Sequence, residues 1–94
     1  MPEPTFRVAV LTEQGLQYRS EAVSVVAPGE LGYLGILAHH APLLTTLVPG
    51  RLTLRTPQQT TERFLLGPGL LEIFHNQVTI LTEQLQSAET RHAA

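Results

Sequence analysis

The sequence contains no cysteine, no lysine and no aspartate. The lack of cysteine excludes disulfide bonds and thiolate chemistry. All positive charge comes from arginines scattered along the chain, and the formal net charge is −2. This pattern argues against nucleic-acid binding, which normally needs a concentrated basic surface. The absence of aspartate disfavours metal and phosphoryl-transfer sites, because such sites often use its carboxylate.

Long apolar runs are also missing. None reaches the roughly 18 residues that a membrane-spanning helix needs, so we expect no direct membrane span. A length of 94 residues suits one domain with one modest core. The sequence shows no internal repeat and no linker that would divide it.

What the chain has in abundance is short segments in which apolar and polar residues alternate. Phe6, Val8 and Val10 form one such series, and Leu52 and Leu54 belong to another. A period of two is typical of β-strands, and the glycines and prolines between the segments predict turns. Strands at this density predict an all-β fold, a sandwich or flattened barrel, over residues 1–82.

Residues 83–94 differ in character from the rest of the chain. This tail is polar and contains neither glycine nor proline. Its composition is compatible with a helical turn, although about a dozen residues make only a marginal helix in water. We therefore distinguish a β-sandwich domain, residues 1–82, from a short polar tail, residues 83–94.

The histidines and glycines do not form a recognisable chemical site. His39 and His40 are adjacent, so on a strand their side chains would point to opposite faces. A zinc site needs three or four convergent ligands, and no spacing here requires that. The glycines at 29, 32 and 35 are not followed by the Gly-Lys-Ser/Thr of a phosphate loop. We predict no cofactor and no metal.

Paired carboxylates are the remaining route to catalysis. Glu30, Glu62 and Glu72 are the candidates for an acid and base. Glu72 stands among apolar residues of a predicted strand, which is compatible with partial burial. A solvent-facing or interface position is the better interpretation, and we predict no catalytic residue.

Residues 25–50 combine apolar runs with turn-forming residues. Leu31, Tyr33, Leu34 and Leu37 lie within or beside predicted turns. Exposed apolar groups on loops often mark a partner surface. Packing into the core is the alternative, and the sequence favours neither.

This stretch resembles the epsilon subunit of the rotary ATP synthase. The order and spacing of the matches continue to about residue 82, which makes the resemblance more specific than any single motif. The matching segments are Val26-Ala27-Pro28-Gly29, Gly32-Tyr33-Leu34-Gly35-Ile36-Leu37, His40-Ala41-Pro42-Leu43-Leu44-Thr45, Pro49-Gly50, Leu71-Glu72-Ile73 and Asn76-Gln77-Val78-Thr79-Ile80-Leu81.

The resemblance implies a β-sandwich of about ten short strands that rotates with the central stalk. It implies contact with the gamma subunit and the ring of c subunits, coupling of ring rotation to ATP synthesis without chemistry, and a peripheral place on the cytoplasmic face of the inner membrane. We expect the isolated chain to be a monomer. The residues implied for the partner interface are Gly29, Glu30, Leu31, Gly32, Tyr33, His40, Ala41 and Pro42.

The chain departs from the family pattern at several points. Tyr33 replaces an acid, and Ala38-His39 replaces Pro-Gly. Most members continue into a C-terminal helical hairpin that inhibits ATP hydrolysis, whereas this sequence ends at Ala94, where the hairpin would begin. We therefore expect no inhibition by a C-terminal arm. The alternative to the family interpretation is a small β-sandwich binding module unrelated to the synthase.

Overall fold

The computed structural model describes residues 3–92, with side chains as far as Ala88, and consists of short β-strands joined by tight turns. The all-β prediction is confirmed, with ten strands. They are β1 (Phe6–Thr12), β2 (Gly15–Ala22), β3 (Ser24–Gly29), β4 (Gly32–Leu37), β5 (Leu43–Leu47), β6 (Gly50–Arg55), β7 (Thr60–Leu66), β8 (Gly69–Phe74), β9 (Gln77–Thr82) and β10 (Leu85–His92).

The strands form two halves of a sandwich. The first half has the order β4-β3-β6-β7-β10, and the second has the order β5-β8-β9-β1-β2. The halves join where β3 meets β5, at the pair Gly29 and Leu47. Neighbouring strands are antiparallel except for β1 and β9, which run parallel with Arg7 opposite Gln77.

The core lies between the two halves and is built by the alternation that the sequence shows. Leu52 and Leu54 of the first half are fully buried, and so are Leu71 and Ile80 of the second. Because successive side chains on a strand point to opposite faces, the residues between them face outward. Each strand therefore contributes one face to the core and one to the outer surface.

A polar contact joins the two halves beside this core. The Tyr18 hydroxyl on β2 donates a hydrogen bond of 2.9 Å to Glu62 Oε1 on β7. The Tyr18 ring also packs against Phe64 at a centroid distance of 4.7 Å. Burial, opposed by a hydrogen bond with Ser20 and reinforced by Glu62, raises the pKa of Tyr18 to about 12. The neutral phenol is therefore the form that the fold stabilises.

The tail corrects one expectation from the sequence. Residues Leu85–His92 form β10 rather than a helical turn, and Ala93 and Ala94 lie outside the described residues. β10 pairs antiparallel with β7, beginning with Leu85 opposite Leu66. The physical reason is that the edge of β7 offers unpaired backbone groups, whereas a short isolated helix gains little stability in water.

Candidate partner-binding surfaces

The first candidate surface is the hairpin tip, residues 29–33, where β3 turns into β4. Leu31 at its apex is fully exposed, and Tyr33 is 63% exposed. Gly32 has φ of +126°, a conformation that side-chain-bearing residues rarely adopt, so the turn depends on glycine there. Gly29 differs from the others because it is buried and pairs with Gly32 and Leu47. The exposed surface is therefore residues 30–33.

The second candidate surface is the histidine loop, residues 39–42, between β4 and β5. His40, Ala41 and Pro42 are exposed, as expected for a contact loop. A contact of 2.6 Å joins His40 Nδ1 to the Ala41 carbonyl oxygen. A carbonyl only accepts, so this contact places the proton of a neutral His40 ring on Nδ1.

The structure does not bring these two surfaces together. β4 begins at the hairpin tip and ends just before the histidine loop. A strand of 6 residues separates them by about 20 Å. The resemblance implied one set of contact residues, but the structure distributes it over opposite ends of the sandwich.

A third surface is absent from the sequence-based prediction. Four leucines stand opposite one another on the outer face of the second half: Leu70 on β8, Leu81 on β9, Leu11 on β1 and Leu16 on β2. We call them the leucine row. Leu70, Leu81 and Leu16 are each about half exposed, with values of 46%, 51% and 48%. Aligned apolar side chains on an outer sheet face are typical of a surface that another protein covers.

A groove runs along the leucine row. It has a volume of about 720 Å³, and Leu11, Leu70 and Leu81 form part of its wall. Glu13 and Glu83 also line it. The groove is thus apolar along the row and carries carboxylates beside it.

The outer face of the first half is different in chemistry. Arg51, Thr53 and Arg55 of β6 alternate with the buried leucines and so lie on this face. Arg55 forms an ion pair with Glu3, with the two nitrogens of its guanidinium 2.8 and 2.9 Å from the two carboxylate oxygens. This pair lowers the pKa of Glu3 and raises that of Arg55. The outer face of the first half therefore combines arginines with exposed apolar side chains, because Leu65 lies opposite Arg51 and Val26 lies opposite Thr53.

The described residues do not assemble a chemical centre. Among residues 3–88, whose side chains the structure describes, no group of three or more histidine or acidic side chains is placed to hold a metal ion. Glu72 is exposed on the outer face of β8, Glu30 lies at the hairpin tip, and Glu62 bonds to Tyr18.

No helix in the part of the chain that the structure describes could cross a membrane.

Comparison with known proteins identifies the family to which this fold belongs. Residues 5–88 match the family described as the ATP synthase delta/epsilon chain, beta-sandwich domain. The chain belongs to this family. An ATP synthase epsilon chain from Acidithiobacillus ferridurans is 45% identical over 89% of this chain, and one from Moorella thermoacetica is 38% identical over 90%. The match covers 59% and 63% of those two proteins, so the chain spans less than two thirds of their length.

Solved structures show the same fold at low identity. A chain of the Euglena gracilis mitochondrial ATP synthase OSCP/F1/c-ring structure has a TM-score of 0.83 at 16% identity, over 90% of this chain and 55% of that one. A chain of the Tetrahymena thermophila central stalk and c-ring structure has a TM-score of 0.72 at 18% identity, over 90% and 68%. The delta/epsilon sandwich is therefore the observed architecture.

Two apolar pairs are the sequence signal for the leucine row on this delta/epsilon sandwich. Leu70-Leu71 and Ile80-Leu81 are apolar pairs inside strands. Since neighbours on a strand face opposite ways, an apolar pair places one residue in the core and one on the outer face. The pairs could have indicated an apolar outer face, but only the strand register shows that Leu70 and Leu81 are opposite each other.

Proposed function

We propose that this chain is a non-catalytic part of the central stalk of a proton-translocating ATP synthase, and that it links the gamma subunit to the ring of c subunits. In this role it transmits ring rotation into ATP synthesis and does no chemistry itself. Family membership supports the identity of the complex. The structures it resembles are named for assemblies with a c-ring, one of them a central stalk.

The leucine row is the observation that carries the proposal. It places a row of partly exposed apolar side chains across the outer face of the second half, on the broad side of the sandwich. A standard protein interface buries roughly 800 Å² on each partner, which a sheet face can supply and a short turn does not. We assign this face to the larger folded partner, the gamma subunit.

The hairpin tip is the part we assign to the c-ring. Leu31 is fully exposed at the apex of a two-residue turn, so it can enter a shallow gap between ring subunits. Tyr33 replaces the acid that the family has at this position, and it extends the apolar contact of Leu31. The histidine loop, at the other end of β4, contacts a different part of the stalk. In this proposal the chain is a peripheral subunit on the cytoplasmic face of the inner membrane.

Binding experiments with separate partners test the proposal. The chain is titrated into purified gamma subunit, purified c-ring, and the complex of the two from the same synthase, with affinity measured by surface plasmon resonance. We expect binding to gamma alone and tighter binding to the complex, because the complex engages both surfaces at once. Absence of binding to both gamma and the complex would overturn the proposal.

A further inference from the structure

Asn76 connects three separate segments at the end of the sandwich that carries the histidine loop. Its side-chain Oδ1 accepts a hydrogen bond of 2.7 Å from the backbone N–H of His39. Its Nδ2 donates one of 2.8 Å to the carbonyl of Thr5. Its own carbonyl accepts from the N–H of Arg7 at 3.3 Å. One residue of the β8–β9 turn thus ties the histidine loop to the start of β1.

The backbone conformation of His39 explains why the loop is stabilised by this hydrogen bond to Asn76. His39 has φ of 63°, in the left-handed region that costs a residue with a side chain free energy relative to glycine. A glycine would adopt this conformation at almost no cost, whereas histidine carries a Cβ that disfavours it. A histidine there is held by an external contact, and the short bond from its N–H to Asn76 is such a contact.

We propose that Asn76 is the positioning residue of the histidine loop: its carboxamide holds His39 in the left-handed conformation that presents His40, Ala41 and Pro42 to the stalk partner. This inference rests on the proposed function, since it takes the loop to be a contact surface. Asn76 is itself only half-buried and acts through the loop, whose exposed residues make the contact.

A set of substitutions separates positioning from stability. Asn76 has φ of 59°, so Asn76→Gly removes the side chain without adding backbone strain. Asn76→Asp is the comparison variant: it keeps an acceptor for the His39 N–H but places a carboxylate oxygen, which cannot donate, against the Thr5 carbonyl, so the Thr5 bond is replaced by repulsion. Affinity for the gamma–c-ring complex is measured well below the unfolding temperature of every variant, so that loss of folded protein does not contribute.

The expected pattern is specific to the His39 contact. Asn76→Gly should weaken binding by about tenfold, and Asn76→Asp should weaken it less, because it keeps the acceptor for His39. Adding His39→Gly to Asn76→Gly should bring affinity back to within about threefold, because glycine adopts the left-handed conformation without support. A purely structural role for Asn76 would change thermal stability without this rescue.

Other results would overturn the inference without touching the proposed function. If the unaltered chain binds the complex and Asn76→Gly binds equally well, Asn76 does not position the loop. If adding His39→Gly does not restore binding to Asn76→Gly, the left-handed conformation of His39 is not what Asn76 maintains. If the unaltered chain fails to bind, it is the proposed function that is wrong.

Discussion

The two outer faces of the sandwich carry different chemistry on the same architecture. The second half places Leu70, Leu81 and Leu16 in one row, and the first half places Arg51 and Arg55 on its corresponding face. Both inner faces are apolar. The core therefore explains why the chain folds, and the leucine row is the difference between the outer faces on which the proposed gamma contact rests.

The largest expected effect contrasts the inner and outer sides of one strand. Leu71 is 0% exposed and Leu70 is 46% exposed, although they are neighbours on β8. Leu71→Ala should lower the free energy of unfolding by about 2–5 kcal/mol because it leaves a cavity in the core. Leu70→Ala should cost less than about 1 kcal/mol. Urea denaturation measures both, and equal losses would show that the leucine row is part of the core.

The second prediction contrasts the two outer faces directly. Leu81→Glu places a charge in the leucine row and should weaken binding to purified gamma subunit by about 30-fold, with little change in unfolding free energy. Arg51→Glu, on the face of the first half, is the control and should leave that affinity within about twofold. Surface plasmon resonance measures the two variants in parallel. Loss of binding with Arg51→Glu alone would assign gamma to the opposite face.

The third prediction concerns two glycines of β4, at the edge of the first half. Gly32 has a positive φ, whereas Gly35 has ordinary backbone geometry, and both have open space where a side chain would begin. Gly32→Val should therefore lower the free energy of unfolding by more than about 1 kcal/mol through backbone strain. Gly35→Val should cost clearly less. Thermal unfolding of the two variants measures the difference. Equal losses of unfolding free energy would show that backbone strain at Gly32 is not the cause.

The smallest effect concerns the contact that joins the halves. Tyr18→Phe removes the hydrogen bond to Glu62 and should cost about 1 kcal/mol. Because burial and Glu62 raise the pKa of Tyr18 from 10.0 to about 12, its contribution is complete below pH 10 and lost as the pH rises toward 12.

The contact between Tyr18 and Glu62 is tested by measuring stability at alkaline pH. The unaltered chain should lose stability between pH 10 and pH 12, and Tyr18→Phe should lose less over the same interval. Denaturant titrations at several pH values compare them, with Tyr33→Phe on the exposed tyrosine as the control. An identical pH dependence in Tyr18→Phe and the unaltered chain would contradict the assignment.

The sequence predicts the strands because alternation is a local property. Phe6, Val8 and Val10 indicate a strand wherever they lie, and the structure confirms β1. The family resemblance likewise follows from local motifs. Its eight contact residues were identified as one set, yet β4 holds the hairpin tip and the histidine loop apart.

What the sequence does not predict is set by contacts between distant segments. The leucine row exists only because Leu11 of β1 lies beside Leu81 of β9. β10 forms because β7 has an edge to receive it, which no property of residues 83–94 reveals. Asn76 looks like an ordinary turn residue, and its bonds to His39 and Thr5 depend on three segments meeting.

The parallel pairing of β1 with β9 has a consequence for synthesis on the ribosome. β1 is made well before its partner residues, because Gln77, opposite Arg7, follows it 70 residues later in the sequence. Contacts between segments so far apart slow folding, because the loop between them must close before they form. Until β9 has been synthesised, Val8 and Val10 of the β1–β2 hairpin lack their neighbours Val78 and Ile80 and cannot be buried in the complete core. The domain completes its core only after nearly all of its residues have left the exit tunnel.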